Sequence, residues 1–234
     1  MLLFCPGLIC DPRLFEAQLA AFPHSRAVES YGDADSLAEM AGIALQVADE
    51  AGAERFDLFG HSMGGRIALE IYRRAPERVR RLALASTGIH PVGAAEPGKR
   101  GALQQLGHEQ GFEALVDAWL PPMVAEANRS NQALYQPMRQ MCLDQGQDRF
   151  DAQVKALLGR PEVASLLPTI ACPTLVTTGE LDSWAPPHQH EEIAAAIPIS
   201  ELVIVAGAGH MLPAEAPEAV NAAIAAWLDR PAGD

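Results

Sequence analysis

The sequence predicts an α/β fold: a mostly parallel six-stranded sheet with helices on both faces and a helical lid inserted between two strands. Three observations predict it. Short apolar runs alternate with longer helical patterns, as a parallel sheet requires, because each crossover between parallel strands is covered by a helix. One strand-to-helix junction passes through Gly60-His61-Ser62-Met63-Gly64. The stretch 88–168 then breaks the alternation, with several helical patterns and no good strand.

The expected strands are 1–5, 25–30, 55–59, 80–86, 172–178 and 201–205. Between the second and third, Ser36-Leu37-Ala38-Glu39 has the capping-box spacing. It opens a helix whose Leu37, Met40, Ala41, Ala44 and Leu45 follow the helical repeat until Gly52 stops it. A second helix begins directly after Ser62, carries Ile67 and Ile71 on one face and ends before Pro76. A third covers about 217–228, with Val220, Ile224 and either Trp227 or Leu228 as its stripe for the sheet. A structureless loop as long as 88–168 is uncommon in a compact domain. The segment therefore reads as a helical cap (88–168) over the end of a core formed by 1–87 and 169–234. Residues 230–234 read as a frayed tail.

Composition sets limits on function. With 234 residues, 49% hydrophobic and 20% charged, the chain has enough apolar material for one packed core. A formal charge of −13 and the lack of a basic stripe argue against nucleic acid as a partner. The arginine-rich run 72–81 reads as a solvated helix end and turn. Cys5, Cys10, Cys142 and Cys172 show no paired spacing and are expected as reduced core thiols. The apolar start, 1–5, is too short for a secretion signal or a membrane span, so a cytoplasmic protein without a membrane partner is expected.

The chemistry centres on Ser62. In a Gly-x-Ser-x-Gly turn the glycines allow a sharp strand-to-helix bend that exposes the serine, and the helix behind it offers N–H groups and a positive dipole end to a developing anion. A serine hydroxyl needs a neighbouring base. Of the seven histidines, His210 follows the last strand in Gly207-Ala208-Gly209-His210, where small residues let a loop reach across the carboxyl edge of the sheet. His61 should point away from Ser62 and serve packing. His188 and His190, with Glu191, have a metal-like spacing but read as surface groups at a proline-rich helix start, and no metal site is expected. His24 and His108 carry no pattern. The imidazole in turn needs a carboxylate to fix its tautomer. Asp182, in Gly179-Glu180-Leu181-Asp182 after the fifth strand, is the candidate, and Glu180 is the alternative.

These residues together resemble the α/β-hydrolase fold superfamily, in particular a serine esterase or lactonase with a helical cap. The resemblance rests on Gly60-His61-Ser62-Met63-Gly64-Gly65, on Gly179-x-x-Asp182, and on Gly207-x-Gly209-His210 followed by Glu215-x-Pro217-Glu218. It covers nearly the whole chain, and the order nucleophile, acid, histidine is that of the superfamily. The resemblance implies an oxyanion hole from the N–H groups of Leu8 and Met63, although Pro6-Gly7 stands where relatives commonly have His-Gly. A second departure is that the two leading strands common in the superfamily are expected to be absent, so the sheet would have six strands, not eight.

The expected activity is hydrolysis of small carboxylic esters or lactones through an acyl-enzyme on Ser62, without cofactor or metal. Trp119, Met123 and Trp184, with His90 at the entrance to the lid, are candidate substrate contacts, although core packing accounts equally well for Trp119 and Met123. The alternatives are a carbon–carbon bond hydrolase of ring-cleavage products with the same triad, and a ligand receptor that kept the fold.

Overall fold

A computed structural model describes residues 1–232, and among these six strands form one wholly parallel sheet in the order β2-β1-β3-β4-β5-β6. In chain order the elements are β1 (Leu2–Cys5), α1 (Glu16–Ala21), β2 (Ser25–Ala27), α2 (Leu37–Glu50), β3 (Phe56–His61), α3 (Met63–Arg74) and β4 (Val79–Ala85). The insertion follows, with α4 (Glu96–Gln110), α5 (Phe112–Trp119), α6 (Glu126–Arg129), α7 (Gln132–Leu143) and α8 (Gly146–Leu158). The chain then returns through β5 (Thr174–Gly179), α9 (Pro187–Ala196), β6 (Ser200–Val205), α10 (Leu212–Glu215) and α11 (Pro217–Leu228).

Every residue of β1, β3 and β5 is buried, as expected of central parallel strands covered on both sides, whereas the edge strand β6 is mostly half-buried or exposed. Right-handed crossovers decide which helix covers which face. The chain moves one way from β1 to β2 and the other way thereafter, so α1 lies opposite α2 and α3. Accordingly α2 packs on α3, while α1 packs on α11. Phe4, Phe15 and Phe59 form an aromatic cluster inside, with ring centroids 4.8 to 6.0 Å apart. Ser36 caps α2 as expected by accepting the Glu39 N–H at 3.2 Å.

The reversal of strand order leaves a crevice beyond the carboxyl ends of β1 and β3, the position where open α/β sheets receive ligands. The loop after β1 carries Leu8 and the turn after β3 leads through Ser62 to Met63 at the start of α3, so both expected donors lie at that crevice. The helical insertion between β4 and β5 is the lid over it.

Three expectations need correction. The arginine-rich run is not merely solvated: Arg80 and Arg81 both bind the buried carboxylate of Asp57, the Arg81 contact being 2.9 Å, because a carboxylate buried on β3 requires cationic donors. Arg230 does not fray, since its carbonyl accepts two hydrogen bonds from Arg81 at 2.8 and 2.9 Å; positions 233–234 of the expected tail lie outside the described residues. Cys172 is half-buried, not a core thiol, whereas Cys5, Cys10 and Cys142 are free and buried. No described helix is long and apolar enough to cross a membrane.

Candidate active site

Ser62 occupies the turn between β3 and α3 with φ 55° and ψ −117°, a backbone region that costs a residue with a side chain about 1–3 kcal/mol. Surrounding bonds hold it there. Its N–H donates to the Ala85 carbonyl at 2.9 Å, and its carbonyl accepts the Gly65 N–H at 2.9 Å and the Thr87 hydroxyl at 2.8 Å. The flanking glycines meet backbone, as the bend requires. A Cβ on Gly64 would lie 1.9 Å from the Cys5 carbonyl oxygen, and one on Gly60 would lie 2.3 Å from the Gly64 oxygen.

The Ser62 hydroxyl is 2.9 Å from His210 Nε2, and His210 Nδ1 is 2.8 Å from Asp182 Oδ2. In this line the serine donates to Nε2 and Nδ1–H donates to the carboxylate. Asp182 is 2% exposed. Burial alone would raise its pKa, but His210 and the N–H groups of Ala185 and Trp184 outweigh that and lower it to about 2. Such a carboxylate remains an anion facing the imidazole. Glu180 instead points outward and accepts the Gly207 N–H at 3.1 Å.

His210 is held from several directions. Its N–H donates to the Met123 carbonyl at 2.9 Å, and the Met211 N–H reaches the same oxygen at 3.3 Å. His61 Nε2–H donates to the His210 carbonyl at 2.8 Å. His61 thus does more than pack: turned away from the serine hydroxyl, it anchors the loop that carries the second imidazole. Glu215 accepts the N–H groups of Met211 and Ala125 and the Asn128 side-chain amide, at 2.9 to 3.1 Å.

His188 is exposed as expected, but His190 is fully buried. Its Nε2 accepts the Thr87 N–H at 3.0 Å, so it supports the residue whose hydroxyl holds the Ser62 carbonyl. The helix face is decided by α9 packing on β5 and β6, information that a local reading of two nearby imidazoles lacks.

Burial lowers the pKa of His190 to about 4 and that of His61 to about 3. Unfolded, both would bind a proton below about pH 6.5. The unfolded chain therefore holds more protons from there down to the folded values, and stability is lost as the pH falls through that interval. The expected result is a loss of several kcal/mol between about pH 6.5 and 4, because each tenfold difference in proton affinity between the two states is worth about 1.4 kcal/mol. Urea melts of the wild type and of His190→Gln would check it: the variant should show the shallower slope, and a pH-independent midpoint would contradict the account.

A cavity of about 570 Å³ opens beside Ser62. Leu8, Met63, His90, Trp119, Met123, Trp184 and His210 all line it. Met63 is the first residue of α3, where helical N–H groups lack intrahelical acceptors. The loop bearing Leu8 is braced despite its Pro6-Gly7 sequence. The Cys10 N–H donates to the Gly7 carbonyl at 3.2 Å, and the Ile9 N–H donates to Gln153 of α8 at 2.7 Å. Trp119 and Met123 are buried, Trp184 is 43% exposed, and the imidazole of His90 lies 3.6 Å from Glu192. Sequence reasoning missed Thr87, Gln153 and Arg66, which also borders the cavity. Arg66 had a usable signal, a cation one turn after Ser62 in a helix buried almost throughout.

The family model described as "Alpha/beta hydrolase family" matches residues 2–223. A protein of Klebsiella pneumoniae subsp. pneumoniae, named "Putative carbamate hydrolase RutD", is 30% identical over 202 residues, 82% of this chain and 74% of that protein. Among solved structures, a thermophilic esterase from Thermogutta terrifontis with malate bound superposes with a TM-score of 0.89 at 27% identity, covering 97% of this chain and 88% of that one. The enol-lactonase from Burkholderia xenovorans LB400 gives 0.87 at 22% identity, over 98% and 91% of the two chains, a likeness of fold.

Proposed function

The chain belongs to the alpha/beta hydrolase family, and from that premise we propose that it hydrolyses small carboxylic esters or lactones through an acyl-enzyme on Ser62. One observation carries this reading: the hydrogen-bonded line from Asp182 through His210 to Ser62 ends at the wall of the cavity. The esterase activity of the Thermogutta relative supports it. The relative named for carbamates points to the same attack on an acyl carbon, with a carbamate as a further substrate class.

In the proposed mechanism His210 Nε2 takes the hydroxyl proton as Ser62 Oγ attacks the carbonyl carbon. The oxygen that becomes negative is received by the N–H groups of Leu8 and Met63. Asp182 keeps Nδ1 protonated and stabilises the imidazolium. The leaving alkoxide takes the proton from His210; water, deprotonated by the same imidazole, then attacks the acyl carbon, and His210 returns that proton to Ser62 Oγ as the acid leaves. In a lactone the leaving oxygen remains tethered to the acyl group. Trp119, Met123, Trp184 and His90 would form the apolar and mouth-side substrate contacts, with 1–87 and 169–234 as the core and 88–168 as the cap.

A panel of nitrophenyl esters, lactones, carbamates and ring-cleavage products on one preparation tests the reading. Ester or lactone turnover is the expected result, and turnover of ring-cleavage products alone would replace it with carbon–carbon hydrolysis. With the best ester, kcat/KM should rise with pH from the acid side, because only neutral imidazole accepts the serine proton. A flat profile would argue against His210 as base.

A further inference from the structure

Although the chain carries a formal charge of −13, the cavity beside Ser62 is bordered by four cationic side chains, Arg66, Lys99, Arg100 and Arg160, and by one carboxylate, Glu96. Glu96 is already engaged by two of them, Arg100 at 2.8 Å and Arg160 at 2.7 Å. Arg66 is different. It is only 6% exposed, and its Nη2 donates to a neutral group, the His90 carbonyl, at 2.6 Å. Arg160 Nε donates to that same oxygen at 3.2 Å, so two guanidinium groups converge there. Among the described residues no carboxylate makes an ion pair with Arg66. Glu96 and Glu162 act on it only at a distance, against the repulsion of Arg160.

A buried cation without a paired anion is unfavourable, and a neutral donor could have served the His90 carbonyl as well. Burial lowers the Arg66 pKa to about 9, which leaves it charged at neutral pH. Arg66 also lies in the first turn of α3, directly after the Ser62 bend, and both residues line the same cavity. A guanidinium offers a planar pair of donors that matches a carboxylate.

We propose that the preferred substrates are esters or lactones bearing a carboxylate several bonds from the scissile carbonyl, with Arg66, assisted by Arg160, as the group that receives it. The inference rests on the proposed serine hydrolysis and names its substrate class. It also gives the lid a part in selection, since Arg160 and Glu96 come from the insertion while Arg66 comes from the core.

The test compares the mono-4-nitrophenyl ester of adipic acid with the same molecule methylated at its free carboxylate. The wild type should show a kcat/KM about ten- to a hundredfold higher for the anion, carried mainly by KM, as charge-assisted hydrogen bonds of ordinary strength imply. Arg66→Gln should collapse that ratio, and Arg66→Lys should retain part of it. Calorimetry with Ser62→Ala supplies a second readout that needs neither turnover nor a change at Arg66: the anionic ester should bind more tightly than the methylated one. Equal kinetics and equal binding for the two esters would overturn the carboxylate inference while leaving ester hydrolysis intact. Failure to turn over either ester would instead strike the hydrolase reading, and the calorimetric comparison would still decide the anion preference.

Discussion

Ser62→Ala is expected to lower kcat/KM by about four to six orders of magnitude, with His210→Ala close behind and the double variant scarcely worse than either, because the two groups act as one unit. The fold should survive the serine change. The lost hydroxyl is bonded to His210, while the backbone bonds from Ser62 to Ala85, Gly65 and Thr87 do not depend on it. Alanine meets the same φ of 55° with a side chain no larger than serine's. A thermal melt near that of the wild type, together with loss of fluorophosphonate labelling by intact mass, is the expected pair of results. Ester turnover within tenfold of wild type would refute Ser62 as nucleophile.

Asp182→Asn should cost about ten-thousandfold in kcat/KM with little change in overall shape. The reason lies in the turn. Asp182 Oδ1 accepts the N–H groups of Trp184 at 2.9 Å and Ala185 at 2.8 Å, so an asparagine would place its carbonyl oxygen there and direct its amide nitrogen towards His210. That amide donates. Nδ1 would then have to accept, the ring proton would move to Nε2, and the nitrogen facing Ser62 could no longer take its proton. Steady-state kinetics would measure the loss, and imidazole nitrogen chemical shifts would report the tautomer. A loss below tenfold would show that the carboxylate does not set the protonation of this histidine.

Much of this architecture was readable because its causes are local. Apolar runs of strand length, the Ser36 cap and the Pro217 start of α11 all act within a few residues, and each was found near where the pattern put it, although the strand expected at 25–30 stops at Ala27. The Gly60 to Gly64 turn was legible for the same reason, since its glycines are demanded by backbone within one bend and the adjacent loop. Asp182 and His210 were legible through strand order, which brings the ends of β5 and β6 to one edge of the sheet. What was not legible depends on distant packing. His190 resembles a surface histidine until α9 is laid against the sheet beside Thr87. His61 reads as filler until the loop of residue 210 crosses it, and Arg66 reads as one charge on a helix until the lid brings Arg160 to the same carbonyl.

Met123 and Glu215 give the lid an attachment with mechanical meaning. The segment after α5 grips the main chain of residues 210 and 211, and Glu215 fastens the start of α6 to the same loop. Cover and imidazole loop are thus tied to each other through these hydrogen bonds. A swing of the cover about this attachment would drag the imidazole off the serine, so the doorway for incoming molecules belongs on the far flank, along 88–103.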